Sequence, residues 1–485
     1  MMILKRTAIA LVMGTALSTG AAAQETATPA TARNVILMIS DGTGIETWRA
    51  ASYYRFGALG HQAYDEFDVK VFSSTHPLNT STTPTKSDEG RVEFDPAQLW
   101  TSGEVDTVFE GRLGDYKGFF DGYDYSRDQY TDSAAAGTAL ASGRKTYNSA
   151  INWSNDDEPM KHIGEYVVES GRALGVVSSV QWTHATPAAF LAHNANRNEY
   201  AAMGRQIVES GLATVVMGAG HPGFDDNGVA RPIEDEEYYE FVGGSEIWER
   251  LVAGETDYRL IESAEDFTAL AAGELDMQGK EKVLGTAQAA ATLQFNREGV
   301  ALGDRIENVP ELALMTTGAL EVLSGNENGF FLMVEGGAVD WAAHANNLPR
   351  LIEEQVDFDI AVEAAVEWVE ENSSFDETLI IVTTDHGNGL LQGPNSHREA
   401  YEGIVNQGAG AMPLVRWHSD THTRELVPLW AHGHGADFFS RVAQSDPGLA
   451  AYEVPQEAQV YVDNTDVFRA TAEAMGIQTD VPPMN

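Results

Sequence analysis

The 485-residue sequence contains no cysteine, which excludes disulfides, thiolate metal sites and cysteine nucleophiles together. Basic residues are scarce. Thirty Lys and Arg stand against 73 Asp and Glu, for a formal net charge of −43. Nothing in such a chain offsets phosphate repulsion, so nucleic acid is excluded as a partner, and so is an anionic membrane surface. No segment reaches the roughly 18 consecutive apolar residues that a spanning helix requires. Hydrophobic residues still make up 43% of the chain, enough for a large core, so wholesale disorder is excluded. A charge this far from zero makes the compact state repel itself unless salt screens it, which predicts a salt-adapted protein.

What is present begins with an export signal. Lys5 and Arg6, the apolar run at residues 7–17 and the Ala21-Ala22-Ala23 cleavage site read as a signal peptide over residues 1–23. Residues 24–33 form a polar leader expected to be disordered, and the mature chain is expected in the periplasm or outside the cell. An exported chain without disulfides must draw its stability from its core or from bound metal.

Short, nearly all-apolar runs then alternate with helical patterns. They lie at residues 34–40 (NVILMIS), 173–180 (ALGVVSSV), 213–218 (ATVVMG), 330–334 (FFLMV) and 378–384 (TLIIVTT). Strands covered on both faces of a parallel sheet look like this. The alternation predicts a three-layer α/β/α sandwich around a largely parallel central sheet. One catalytic domain is expected over residues 34–478, with surface insertions at 76–125 (rich in Thr, Ser, Gly and Asp) and 221–306 (acidic, interrupted by glycine).

In open α/β sheets ligands bind beyond the carboxyl ends of the strands. Asp41 follows the first run, His184 and Thr186 the second, Glu335 the fourth, and Asp385 and His386 the fifth. A lone Asp there is usually a turn former or helix cap, but four strands ending in metal-capable side chains point to one metal-binding edge. Asp340 and His344 stand four residues apart, on one helical face, where a carboxylate and an imidazole can grip one ion. His and Asp ligands suit zinc, whereas an Asp, Glu and Thr oxygen set suits magnesium. Ser133, after Asp132 in TDSAAAGTALASG, opens a predicted helix, with its hydroxyl at the positive end of the helix dipole, where phosphate can settle. No G-x-S-x-G elbow surrounds it, so its activation is expected to come from metal.

The ordered set ISDGTG, TDSAAAGTALASG, WTHATP, VEGGAVDWAAHAN, TTDHGNG and THTRELVPLW resembles the alkaline phosphatases, over residues 34–430. The resemblance implies a secreted phosphomonoesterase with two zinc ions and one magnesium ion, an alkaline optimum, small phosphate monoesters as substrates and a homodimeric state. It implies that Ser133 is the nucleophile and that Arg197 clamps the phosphate, as a bidentate guanidinium suits. Asp340, His344 and His422 match ligands of one zinc, and Asp41, Asp385 and His386 match those of the other. Asp41, Thr186 and Glu335 match the magnesium ligands. His184 is expected to act on magnesium through water, with Asp132 and Trp341 close by. Among His418, His422, His432 and His434, His422 is preferred because it precedes ELVPLW, read as a returning strand; the HGHG segment after it is expected to be a loop. Two other readings compete: a phosphodiesterase or sulfatase on the same scaffold, and a non-catalytic acidic cation-binding surface protein.

Overall fold

The computed structural model describes residues 31–102 and 123–481. The signal peptide, most of the leader and residues 103–122 of the first insertion lie outside the described residues. Residues 31–33 do not continue a disordered leader. Ala32 is fully buried, its N–H donates to the Ala474 carbonyl at 2.6 Å, and that of Arg33 to the Glu377 carbonyl at 2.7 Å.

In chain order the first strands are β1 (Asn34–Ser40), β2 (Val69–Ser74), β3 (Ala173–Gln181), β4 (Val215–Ala219), β5 (Tyr258–Ile261), β6 (Lys282–Thr286), β7 (Phe330–Gly336) and β8 (Thr378–Thr383). Four two-residue strands follow, β9 (Gly387–Asn388), β10 (Leu391–Gln392), β11 (Arg416–Trp417) and β12 (His422–Thr423); then come β13 (Val427–Gly433), β14 (Gln444–Ser445) and β15 (Val460–Asp463). Among the described residues, eleven strands form one sheet in the order β14-β15-β2-β13-β8-β1-β7-β3-β4-β6-β5. Its centre, β8-β1-β7-β3-β4, is parallel throughout, and β13 runs antiparallel to both β2 and β8.

Alternation along β1 explains the layers, because successive strand side chains point to opposite faces. Val35, Leu37 and Ile39 join a core with Leu140, Val167, Phe190 and Phe468. Ile36 and Met38 join a second core with Trp48, Leu320, Phe358 and Ala365. The residues of β1 are all buried, each large side chain adding about 1.5–3 kcal/mol, so the sheet is sealed on both faces. Helices Ser133–Ser142 and Ile163–Glu169 cover the first face; helices Ile45–Phe56, Leu312–Leu323 and Leu348–Asn372 cover the second.

Two expectations need correction. Residues 221–306 are not only a surface insertion, since β5 and β6 pair in parallel with each other and β6 with β4, extending the sheet to its edge. The HGHG segment is not wholly a loop. Strand β13 runs on through His432 and Gly433, which pair with Ile380 and Leu379 of β8. In the first insertion, Leu99 and Tyr123 are buried with Phe72 and Tyr452, so its described parts pack onto the body.

Candidate active site

Register aligns the ends of the four central strands. Ile39 sits opposite both Glu335 and Thr383, and Ser178 opposite Glu335. The residues at or just past these ends therefore gather at one edge of the sheet. Asp41, Thr186, Glu335, Asp385 and His386 are each 1% exposed or less. Gly42 makes the approach possible. Its φ of +71° suits glycine, and a Cβ there would stand 2.5 Å from Asp340 Oδ1.

Three sub-clusters emerge. In the first, His344 Nε2 and His422 Nε2 each lie 3.4 Å from an Asp340 carboxylate oxygen, and 3.0 Å from each other. The Nδ1 of His344 faces the Asp420 carbonyl at 2.9 Å and that of His422 the Thr131 carbonyl at 2.8 Å. Protons on both Nδ1 atoms would leave two Nε2 lone pairs converging on one point, which is the tautomer a metal requires. Burial alone would raise the Asp340 carboxyl, but His422, His344 and His386 outweigh it and hold it well below the usual range. In the second, His386 Nε2 lies 3.1 Å from Asp385 Oδ2 and 3.6 Å from Asp41 Oδ1. The His386 ring stacks on His422 at 3.7 Å between centroids, joining the two groups. In the third, the Thr186 hydroxyl donates to Asp41 Oδ2 at 3.4 Å, and Ser178 donates to Glu335 Oε2.

These carboxylates suffer from one another's company. Burial, then the charges of Asp385, Asp340 and Glu335, push Asp41 well above its ordinary value. Burial raises Glu335 to about 7 and Asp385 to about 6. Asp41 Oδ1, Glu335 Oε1 and Asp385 Oδ2 are buried without a hydrogen-bond donor. Orphaned buried carboxylate oxygens are costly, and divalent cations satisfy them; the donor sets therefore fit metal ions.

Ser133 is the first residue of the Ser133–Ser142 helix, and Asp132 caps it by accepting from the Ala135 N–H at 3.0 Å. Ala-rich sequence without a β-branched run favours this helix, and Gly143, in the left-handed region, ends it. The helix sets Ser133 Oγ 3.2 Å from His386 Nε2. The other Asp132 oxygen accepts from Arg197 Nη1 and from the Ser149 N–H, both at 3.0 Å. Burial would raise Asp132, but Arg197 and these N–H groups hold it below its ordinary value.

His184, expected to act only through water, sits beside the cluster. It packs against Trp341, with ring centroids 5.7 Å apart, and against Tyr200. Among the described contacts, none joins it to Asp41, Thr186 or Glu335. Burial, then repulsion from Arg197, lowers its pKa to about 3, so its imidazole is neutral. His418 bonds Ser396, His432 pairs with Asp68 and His434 faces the Asp376 carbonyl, so of the four late histidines it is His422 that meets Asp340. Two residues went unrecognised in the sequence: Ser178, on Glu335, and Asn388, which donates to Asp340 Oδ1 at 2.7 Å. The Ser-Ser pair inside the otherwise apolar ALGVVSSV run was the available signal for the first.

Fold and site together define an α/β protein whose helix-borne serine faces buried metal-type ligands at the carboxyl edge of a parallel sheet. The chain belongs to the alkaline phosphatase family: the family model described as Alkaline phosphatase matches residues 116–404. It is 32% identical to alkaline phosphatase H of Pseudomonas aeruginosa over 387 residues, covering 72% of this chain and 74% of that protein. It is also 32% identical to alkaline phosphatase 4 of Bacillus subtilis, over 53% of this chain; the match spans only half of that relative's length. In fold it is similar to the alkaline phosphatase of the Antarctic bacterium TAB5, with a TM-score of 0.60 at 21% identity, over 93% of this chain and 99% of that one.

Proposed function

We propose that this chain hydrolyses phosphate monoesters to an alcohol and inorganic phosphate through a phosphoserine on Ser133. The observation that carries the reading is the placement of Ser133 Oγ, at a capped helix start, 3.2 Å from His386 Nε2 and next to the Asp132–Arg197 pair. Asp340, His344 and His422 would hold one zinc, Asp41, Asp385 and His386 a second, and Asp41, Thr186 and Glu335 a magnesium. A mutant of the TAB5 enzyme is described with Mg bound in the M3 site. When bound, such ions neutralise the carboxylates and lower the pKa of a nearby hydroxyl or water to about 7–9.

The chain's own residues supply the rest. Arg197, oriented by Asp132, presents its remaining N–H groups to the phosphoryl oxygens and favours a terminal dianion over a diester. The free N–H groups of the first helical turn add to that pull. Ser133 Oγ gives up its proton and bonds to phosphorus as the ester P–O bond breaks, and a proton passes to the leaving oxygen so that it departs as the alcohol. Water then attacks phosphorus, the Ser133 O–P bond breaks, and a proton returns to Ser133 as phosphate departs. Export to the periplasm or beyond, a homodimeric state and an alkaline optimum complete the proposal; among the described residues no helix is long and apolar enough to cross a membrane.

Purified protein should hydrolyse p-nitrophenyl phosphate faster than its bis-ester or p-nitrophenyl sulfate, and should lose that activity to EDTA. Ser133→Ala should lower kcat by roughly three orders of magnitude or more while keeping its metal. A preference for the diester or the sulfate overturns the substrate assignment; unaltered turnover in Ser133→Ala overturns the mechanism.

A further inference from the structure

A second group of metal-capable side chains shares no residue with the site above. We infer that His162, Glu165 and His193 form a separate binding site for a first-row divalent cation, zinc by its donor set, with water completing the coordination. His162 immediately precedes the Ile163–Glu169 helix, Glu165 lies in its first turn, and His193 follows the Ala185–Ala189 helix. One donor atom from each lies within 4.8 Å of the other two. Glu165 Oε2 is 3.3 Å from His193 Nε2 and 3.7 Å from His162 Nε2. Zinc–nitrogen and zinc–oxygen bonds of about 2.0–2.2 Å in tetrahedral array place neighbouring ligands about 3.3–3.6 Å apart, so each histidine already stands close to the spacing that sharing an ion with Glu165 requires.

Orientation agrees with spacing. His193 Nδ1 faces the Asn152 backbone carbonyl at 3.4 Å. With the proton there, Nε2 turns its lone pair toward Glu165 Oε2, which also accepts from the His162 backbone N–H at 3.0 Å, and a cation between them would satisfy both atoms. The two imidazole rings converge at 5.0 Å with a 50° tilt instead of stacking flat. His162 is 1% exposed while His193 and Glu165 are 18% and 31% exposed, so the donors are anchored on one side and open to solvent on the other. Two imidazole nitrogens and one carboxylate favour zinc over magnesium or calcium, which prefer all-oxygen sets.

The ion would join the start of one helix to the segment that carries Arg197. Beside His193, Asn194 exchanges backbone hydrogen bonds with Ile151 at 2.9 and 2.8 Å, and the Arg197 N–H donates to the Ser149 carbonyl at 2.8 Å. In a chain without cysteine, such an ion is a cross-link that a disulfide cannot provide.

Elemental analysis of the zinc-loaded, dialysed protein tests this. His162→Gln and Glu165→Gln should each hold one zinc fewer per chain than the wild type; an equal zinc content in a folded variant overturns the site. Because His162 is buried, the more exposed Glu165→Gln decides the matter if His162→Gln fails to fold. A measurement on the wild type needs no variant. Carbethoxylation of His193 by diethyl pyrocarbonate, read on its own peptide by mass spectrometry, should be blocked by zinc and restored by chelation. A His193 that reacts equally with and without zinc overturns the proposal.

Discussion

Asp132 serves two masters, the helix start that carries Ser133 and the guanidinium of Arg197. Asp132→Ala should therefore cost more than the roughly 1 kcal/mol of a lost cap, because it also leaves the half-buried Arg197 without its carboxylate partner, a loss below the about 3–5 kcal/mol of a fully buried pair. Inorganic phosphate can supply the missing anion. Its addition should raise the Tm of Asp132→Ala more than that of the wild type, and an equal shift would place Arg197 away from the phosphate. Glu335 gives a prediction of opposite sign in two metal states. Its folded pKa, about 7, lies above the unfolded value, so the folded state binds more protons between pH 4.5 and 7 and stability is lost as pH rises through that window. In chelated protein, Glu335→Gln escapes this loss. Its Tm should overtake that of the wild type by an amount that grows up to about pH 7 and then levels off. In metal-loaded protein the order should reverse, since the glutamine removes a carboxylate from the proposed magnesium site. Thermal melts of both proteins from pH 4.5 to 8, with and without EDTA, check both signs.

At the scale of elements, the turn after β1 is the tightest joint of the site. Gly42→Ala would drive a Cβ to 2.5 Å from Asp340 Oδ1 and 2.8 Å from Asp340 Cα, at a φ of +71°. Zinc content and Tm should both fall, whereas a change at Gly60, also at positive φ but with nothing within 4 Å of a Cβ, should cost only the backbone strain of about 1–2 kcal/mol. Equal losses in the two variants would show that close packing on Asp340 is unimportant. The central strands were legible because each is apolar on both faces, which makes the polar residue at its end conspicuous. Strands β5 and β6 were not. YRLI, at the sheet's edge, and KVLGT, next to it, are only four and five residues long and are set in acidic, glycine-broken sequence, and so short a run gives little periodicity to read. The run of β13 through His432 was hidden for a related reason, since its last residues are only half-buried and read as polar loop. Ser178 meets Glu335 through strand register, whereas Asn388 meets Asp340, and His162 meets His193, only because separate elements pack together, and these are properties of the folded chain rather than of any local motif.

For the whole molecule, the net charge of −43 is far larger than the metal site requires, because only Asp41, Glu335, Asp340 and Asp385 are assigned there. Some of the remaining carboxyls, such as Glu46, Glu354, Asp359 and Glu425, are buried; among the exposed ones salt shortens the reach of repulsion from about 10 Å at 0.1 M to about 3 Å at 1 M. Stability and activity should both rise as NaCl is taken from near zero to molar levels in metal-replete protein. A flat or falling profile in melts and assays would remove salt adaptation and leave the family assignment intact. The position of β1 has another consequence, for the timing of synthesis. Its two partners are β7 and β8, which begin at residues 330 and 378. A nascent chain exposes β1 long before either neighbour is translated, an interval of about 15–60 s at about 5–20 residues per second. During that time one of the most apolar strands of the protein has no place in a sheet, and any chaperone that keeps the chain extended has that interval in which to act.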